Sequence, residues 1–181
     1  MFLKAKTLAL LGLLLAFSVL MVIFSAIFEF NTLFLLAAAG ICVGIAIRET
    51  GQYGGTAFYI ASVLLSLMLS PNKLYALTYS GMGLYIVIVS YITKALFGAE
   101  RKNDRSLSGK RLSLWLIKLL VFNLVYLPFL YFAPTLIYTG KLNYYVYAGL
   151  IIGGQVLLVV FDRAYWFFMW NYWEKYRNRL L

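Results

Sequence analysis

Six carboxylates, one thiol and no histidine are what this chain offers for acid–base or metal chemistry. Without histidine the commonest general base is gone, and with it the histidine-dependent nucleophilic dyads and triads and most transition-metal sites. Cys42, the single cysteine, permits neither an intrachain disulfide nor a thiolate cluster, and inside an apolar run it reads as a small packing residue. Of the acids, Glu29 stands apart, and Glu49, Glu100, Asp104 and Glu174 fall in polar segments. Asp162 lies about 19 residues into the last apolar run, ~28 Å by helical rise. Its neighbour Arg163 does not share its face, because residues i and i+1 diverge on a helix, so Asp162 reads as an interfacial anchor, with a functional internal charge as the alternative. No Walker-type phosphate loop occurs, and no pair of intramembrane carboxylates suggests a proton relay. Neither an enzyme nor a cofactor is expected.

The chemistry left is hydrogen bonding and ring stacking. The connections "FEFNT", "SPNKLYALTYSGMGLY" and "APTLIYTGKLNYYVY" carry Glu29, Asn31, Asn72, Lys73, Tyr75, Tyr79, Tyr138, Lys141, Asn143, Tyr144 and Tyr147. Aromatic walls with a few fixed polar groups are what a small-molecule pocket requires, and these residues form the candidate substrate site. The competing reading is an interfacial tyrosine belt. A second pattern is in "AKTLALLGLLLA", where Ala5, Ala9, Gly12 and Ala16 recur at spacings of four, three and four. That spacing lines small residues along one stripe of a helix, where another helix can approach closely.

The elements that position these residues are membrane helices. The chain is 64% hydrophobic and 12% charged, against roughly a quarter charged in a soluble domain. Several apolar runs reach the ~20 residues that cross a ~30 Å hydrocarbon core, and none alternates as a barrel strand does. The first, Thr7 to Phe28, is longer than the ~7–15 residues of a signal-peptide core and reads as a retained span. Cutting at Pro, Gly, Asn and charge clusters predicts one all-α transmembrane domain over 1–181. Its six spans lie at about 7–28, 33–49, 54–70, 73–97, 112–133 and 143–170, with a polar loop at 98–111 and a tail at 171–181. Pro128 is expected to bend the fifth span.

Of the 16 lysines and arginines, all but Lys73 and Lys141 fall on one side of this arrangement. Cationic loops stay cytoplasmic, so both termini are expected in the cytoplasm, of a bacterial plasma membrane by preference. Arg48 and Glu49, beside Gly51, Gly54 and Gly55, then read as a wet turn between spans two and three, with contact to a cytoplasmic or membrane partner as the alternative. The net charge of +10 is accounted for by this bias and by attraction to anionic lipid headgroups, with no nucleic-acid partner required. In the tail, Trp166, Trp170 and Trp173 fall at i, i+4 and i+7, which on an α-helix is one face; it reads as an interfacial anchor, with a partner-groove contact as the alternative.

Size, six spans, cytoplasmic termini, the small-residue stripe of "ALALLGLLLA" and the polar-aromatic outer connections together resemble the substrate-binding S components of energy-coupling factor transporters, which import vitamins and other micronutrients. The resemblance is architectural, and no segment is a specific fingerprint. It implies that the chain captures a small-molecule substrate outside. It also implies that Ala5, Ala9, Gly12 and Ala16 dock on a transmembrane coupling protein whose cytoplasmic helices sit on ATPase subunits. The first outer connection, about 29–32, is shorter than the substrate-covering loop of that family. The alternatives are a membrane scaffold without a ligand pocket and, more distantly, an enzyme acting on lipid.

Overall fold

The structure, a computed structural model, describes residues 5–28, 31–97, 107–132, 143–173 and 175. Among these there is no strand. The elements are α1 (Ala5–Ile27), α2 (Thr32–Leu69), α3 (Lys73–Phe97), α4 (Leu107–Phe132) and α5 (Tyr144–Phe168), the last continued by a π-helical turn, Met169–Trp173. Four of these helical stretches are long and apolar enough to cross a membrane: Ala5–Ile27, Thr32–Leu69, Lys73–Ala95 and Tyr144–Trp173. In α4 the apolar stretch is shorter, Leu112–Pro128, and the helix runs on through Pro128. The chain divides into two compact units, Met1–Tyr91 with Phe167–Leu181, and Ile92–Trp166.

In the first unit α1 packs on α2. Its buried residues are Leu14, Ser18, Val19, Val22 and Ser25, with Leu14, Ser18, Val22 and Ser25 in one row spaced at four, four and three. Serine is tolerated there because each hydroxyl is satisfied by its own helix: Ser18 donates to Leu15 O at 3.0 Å and Ser25 to Val22 O at 2.7 Å. The start of α2 is tied back to α1 by Thr32 Oγ1, which donates to Ser25 O at 3.2 Å.

At 38 residues, α2 would be ~57 Å long if straight. It is not straight. Gly51 has φ 76° and ψ −177°, a conformation that essentially only glycine adopts. A Cβ placed on Gly55 would stand 2.5 Å from Ile47 Cα, whereas residues eight apart in a continuous helix are separated by ~12 Å. The second half of α2 therefore bends back sharply at Gly51. The expected break between spans two and three falls at this corner, and Gly55, with no side chain, allows the close approach.

The second half of α2 and α3 run antiparallel, as their cross-links show: numbers fall on one helix as they rise on the other. Ser62 Oγ and Tyr79 Oη share a hydrogen bond of 2.7 Å, Tyr59 Oη donates to Ser80 O at 2.8 Å, and Gln52 Nε2 donates to Ser90 O at 3.1 Å. The Tyr59 ring fills the space left by Gly83.

The second unit is built from α4 and α5. The buried face of α5 is Gly154, Leu158 and Asp162, four residues apart. The Tyr126 ring covers Gly154, where a Cβ would meet Tyr126 Cε1 at 2.5 Å.

Candidate functional site

The candidate outer residues fall into one group in each unit. In the first, Asn72 caps α3, its Oδ1 accepting from Leu74 N–H at 3.0 Å. The Lys73 ammonium turns back to the end of α2, donating to Leu67 O at 2.6 Å and Ser70 O at 3.0 Å. A cation there satisfies carbonyls that no helical N–H can reach and complements the helix dipole. Tyr79 is fully buried with its hydroxyl on Ser62, and Tyr75, one turn closer to the connection, is half-buried. Asn31 is exposed at the start of α2, and its side chain makes no capping bond.

In the second unit Asn143 Oδ1 accepts from Tyr144 N–H at 2.9 Å. Tyr144 is 81% exposed and edge-on to Tyr145, while Tyr147 is half-buried. Glu29, Tyr138 and Lys141 lie outside the described residues, as does most of the expected polar loop and tail. Of the described candidate groups only Tyr79 is buried; Asn31, Lys73, Asn143 and Tyr144 are exposed, and Asn72, Tyr75 and Tyr147 are of intermediate exposure.

The small-residue stripe has a definite place. Ala5, Ala9, Gly12 and Ala16 are all exposed, on the side of α1 away from its buried face. A Cβ on Gly12 would meet nothing within 4 Å. Leu8 and Leu13 stand beside the stripe at 61% and 68% exposure, so the face is apolar and open.

The most developed polar constellation is one that sequence reasoning missed. Between α4 and α5, Lys118 Nζ is 2.6 Å from Asp162 Oδ1, with the two side chains 8% and 6% exposed. The same ammonium lies 5.4 Å from the Trp115 ring centroid and 5.6 Å from that of Trp166, two cation–π contacts that stabilise its charge. Further along the pair, Gln155 Nε2 donates to Asn123 Oδ1 at 2.7 Å, and Asn123 Nδ2 donates to Leu119 O at 2.8 Å. Beyond that, Tyr126 Oη donates to Leu150 O at 2.8 Å. These are three rungs of an antiparallel helix pair.

Asp162 is thus not an interfacial anchor, as its position in the chain suggested, but a buried ion-pair partner. Lys118, counted there among the cytoplasmic charges, is equally buried. Among the described residues they are the only buried charged side chains. The one available signal, antiparallel register of the fifth and sixth expected spans, places residue 118 only within about a turn of 162 and does not name the pair.

The aromatic tail also differs from the expectation of one shared face. Trp170 is 58% exposed while Trp173 is buried at 8%, on the side that the buried Met169 also takes within the π-helical turn. Trp173 Nε1 donates to Glu49 Oε1 at 2.9 Å, so the expected wet turn at Arg48 and Glu49 is in part an internal contact. Both residues are of intermediate exposure.

Fold and polar groups together define a helical protein with the helix lengths and hydropathy of a multi-pass membrane protein. Comparison with protein-family models, curated proteins and solved structures gives no match.

Proposed function

We propose that this chain is the membrane-embedded, substrate-binding component of a micronutrient importer, working with a transmembrane coupling protein and ATPase subunits in a bacterial plasma membrane. The observation that carries the reading is the open stripe on α1. In a bilayer, apolar contact alone gives helices little reason to associate, and close backbone approach across small residues is a principal source of affinity. A stripe belonging to the protein's own core would be buried. Here Gly12 has open space where a side chain would be, and a partner helix is the natural occupant.

Gly12→Leu should therefore leave thermal unfolding of the isolated protein unchanged while weakening association with the coupling complex tenfold or more, about 1.4 kcal/mol. Unchanged association on pull-down removes the docking assignment.

In this reading the chain crosses the membrane six times, the two halves of α2 serving as separate spans, and both termini are cytoplasmic. Cysteines at Ser106 and Lys141 in a Cys42→Ala background should then react with an impermeant maleimide from opposite sides, Lys141→Cys from outside. Reaction of both from one side excludes six crossings. Substrate would be held at outer connections, by Tyr75 and Asn31 in the first unit or by Tyr144 and Tyr147 in the second.

A second reading, a membrane scaffold without a ligand pocket, is favoured by one specific observation. Asn72, Lys73 and Asn143 spend hydrogen bonds on nearby backbone, and Tyr79 is internal. A thermal-shift screen of vitamins on purified protein separates the two, since a ligand at 100 times its Kd raises stability by about 2.7 kcal/mol, and a scaffold responds to none.

A further inference from the structure

The corner of α2 at Gly51 is held from two directions. Gln52 Nε2 reaches Ser90 O on α3 at 3.1 Å, and Thr56 Oγ1 and Tyr91 Oη are 3.2 Å apart. From the other end of the sequence, 124 residues away, the Trp173 indole reaches Glu49 at 2.9 Å. Trp173 and Met169, at 8% and 1% exposure, are the buried residues of the π-helical turn. Met169 and Trp173, four residues apart, share the buried side of the turn, while Trp170 between them is 58% exposed.

Glu49 lies two residues before the one described glycine with positive φ. A backbone break of this kind persists only where its surroundings over-determine it. The indole N–H is a donor that cannot also accept, and a carboxylate is the stronger kind of acceptor for it. Phenylalanine in its place would keep most of the ring packing and lose the bond.

We propose that Trp173 is a latch: the π-helical turn after α5 presents its indole N–H to Glu49 and thereby fixes the α2 corner, so that the conformation of that corner depends on the docking of the segment after α5. The inference concerns a conformational device, goes beyond the importer reading and does not depend on it. Its consequence is that release of Met169–Trp173 loosens residues 48–56 first, while the α1–α2 interface stays closed.

Hydrogen–deuterium exchange on the full chain in detergent tests this. Trp173→Phe should speed exchange of the 48–56 amides by about tenfold and leave residues 14–25 of α1 unchanged, as expected for a local opening. Glu49→Gln keeps a side-chain oxygen acceptor and should remain closer to the parent, whereas Glu49→Ala should reproduce Trp173→Phe. The latch is overturned if Trp173→Phe leaves the corner protected. It is equally overturned by acceleration of α1 to the same degree, which marks general destabilisation, or by a silent Glu49→Ala, which assigns the effect to ring packing alone.

Discussion

Replacing Asp162 with leucine should destabilise the protein by about 3–5 kcal/mol, because it leaves the Lys118 ammonium buried with no counter-charge. The two indoles beside Lys118 soften that loss without removing it, since a cation–π contact contributes about 0.5–2 kcal/mol. The informative comparison is the double variant Lys118→Met with Asp162→Leu, which removes both charges and keeps similar volumes. It should recover the parent's stability or exceed it, as apolar replacement of a buried ion pair often does. Denaturant unfolding in micelles reads both. Equal stability of the single and double variants would mean that the ammonium finds water or another partner, and that the pair is not sealed between α4 and α5.

The second large effect is expected at the α2 corner. Gly55→Ala places a Cβ against Ile47, whose Cα would stand 2.5 Å away. Backbone cannot swing aside as a flexible side-chain tip does, so overpacking of about 1–3 kcal/mol is expected. Gly51→Ala should lose a similar amount, about 1–3 kcal/mol, for a different reason: there is space for its Cβ, but φ of 76° with ψ of −177° is strained for any L-residue. Gly149→Ala is the control. It lies within α5 with nothing within 4 Å of a new Cβ, and there the gain in helix propensity should leave stability unchanged or slightly raised. Loss of stability at all three positions would show a general intolerance of added bulk rather than a specific corner.

The parts of this fold legible in the sequence were those encoded locally. Helical character followed from the length of apolar runs, and the break in α2 from a glycine cluster beside two charges. The connection before α3 followed from Pro71 and Asn72. The open face of α1 could be anticipated because four small residues repeat on one side of a single helix. Contacts set by register between distant segments were not legible. Nothing near Asp162 names Lys118, and nothing near Glu49 names Trp173. Identical tyrosines also took different environments: Tyr79 is buried on Ser62, while Tyr144 remains in the open. The candidate outer site was read from residue type, and type does not reveal that Lys73 bonds to carbonyls of α2.

In the six-crossing reading proposed above, the ion pair between α4 and α5 also constrains how the chain enters a bilayer during synthesis. The apolar stretch of α4, Leu112–Pro128, is a short one, and it carries Lys118, a residue disfavoured by about 2.5–3.5 kcal/mol at the centre of an inserting helix. Asp162 imposes a similar burden on α5. Entering one at a time, each helix would bring an uncompensated charge into hydrocarbon; entering together, they bring a neutral pair with its amide and tyrosine rungs already closed. The translocation machinery should therefore hold α4 at its lateral exit until α5 emerges from the ribosome, making the helical hairpin, rather than the single helix, the unit of insertion for this half of the protein.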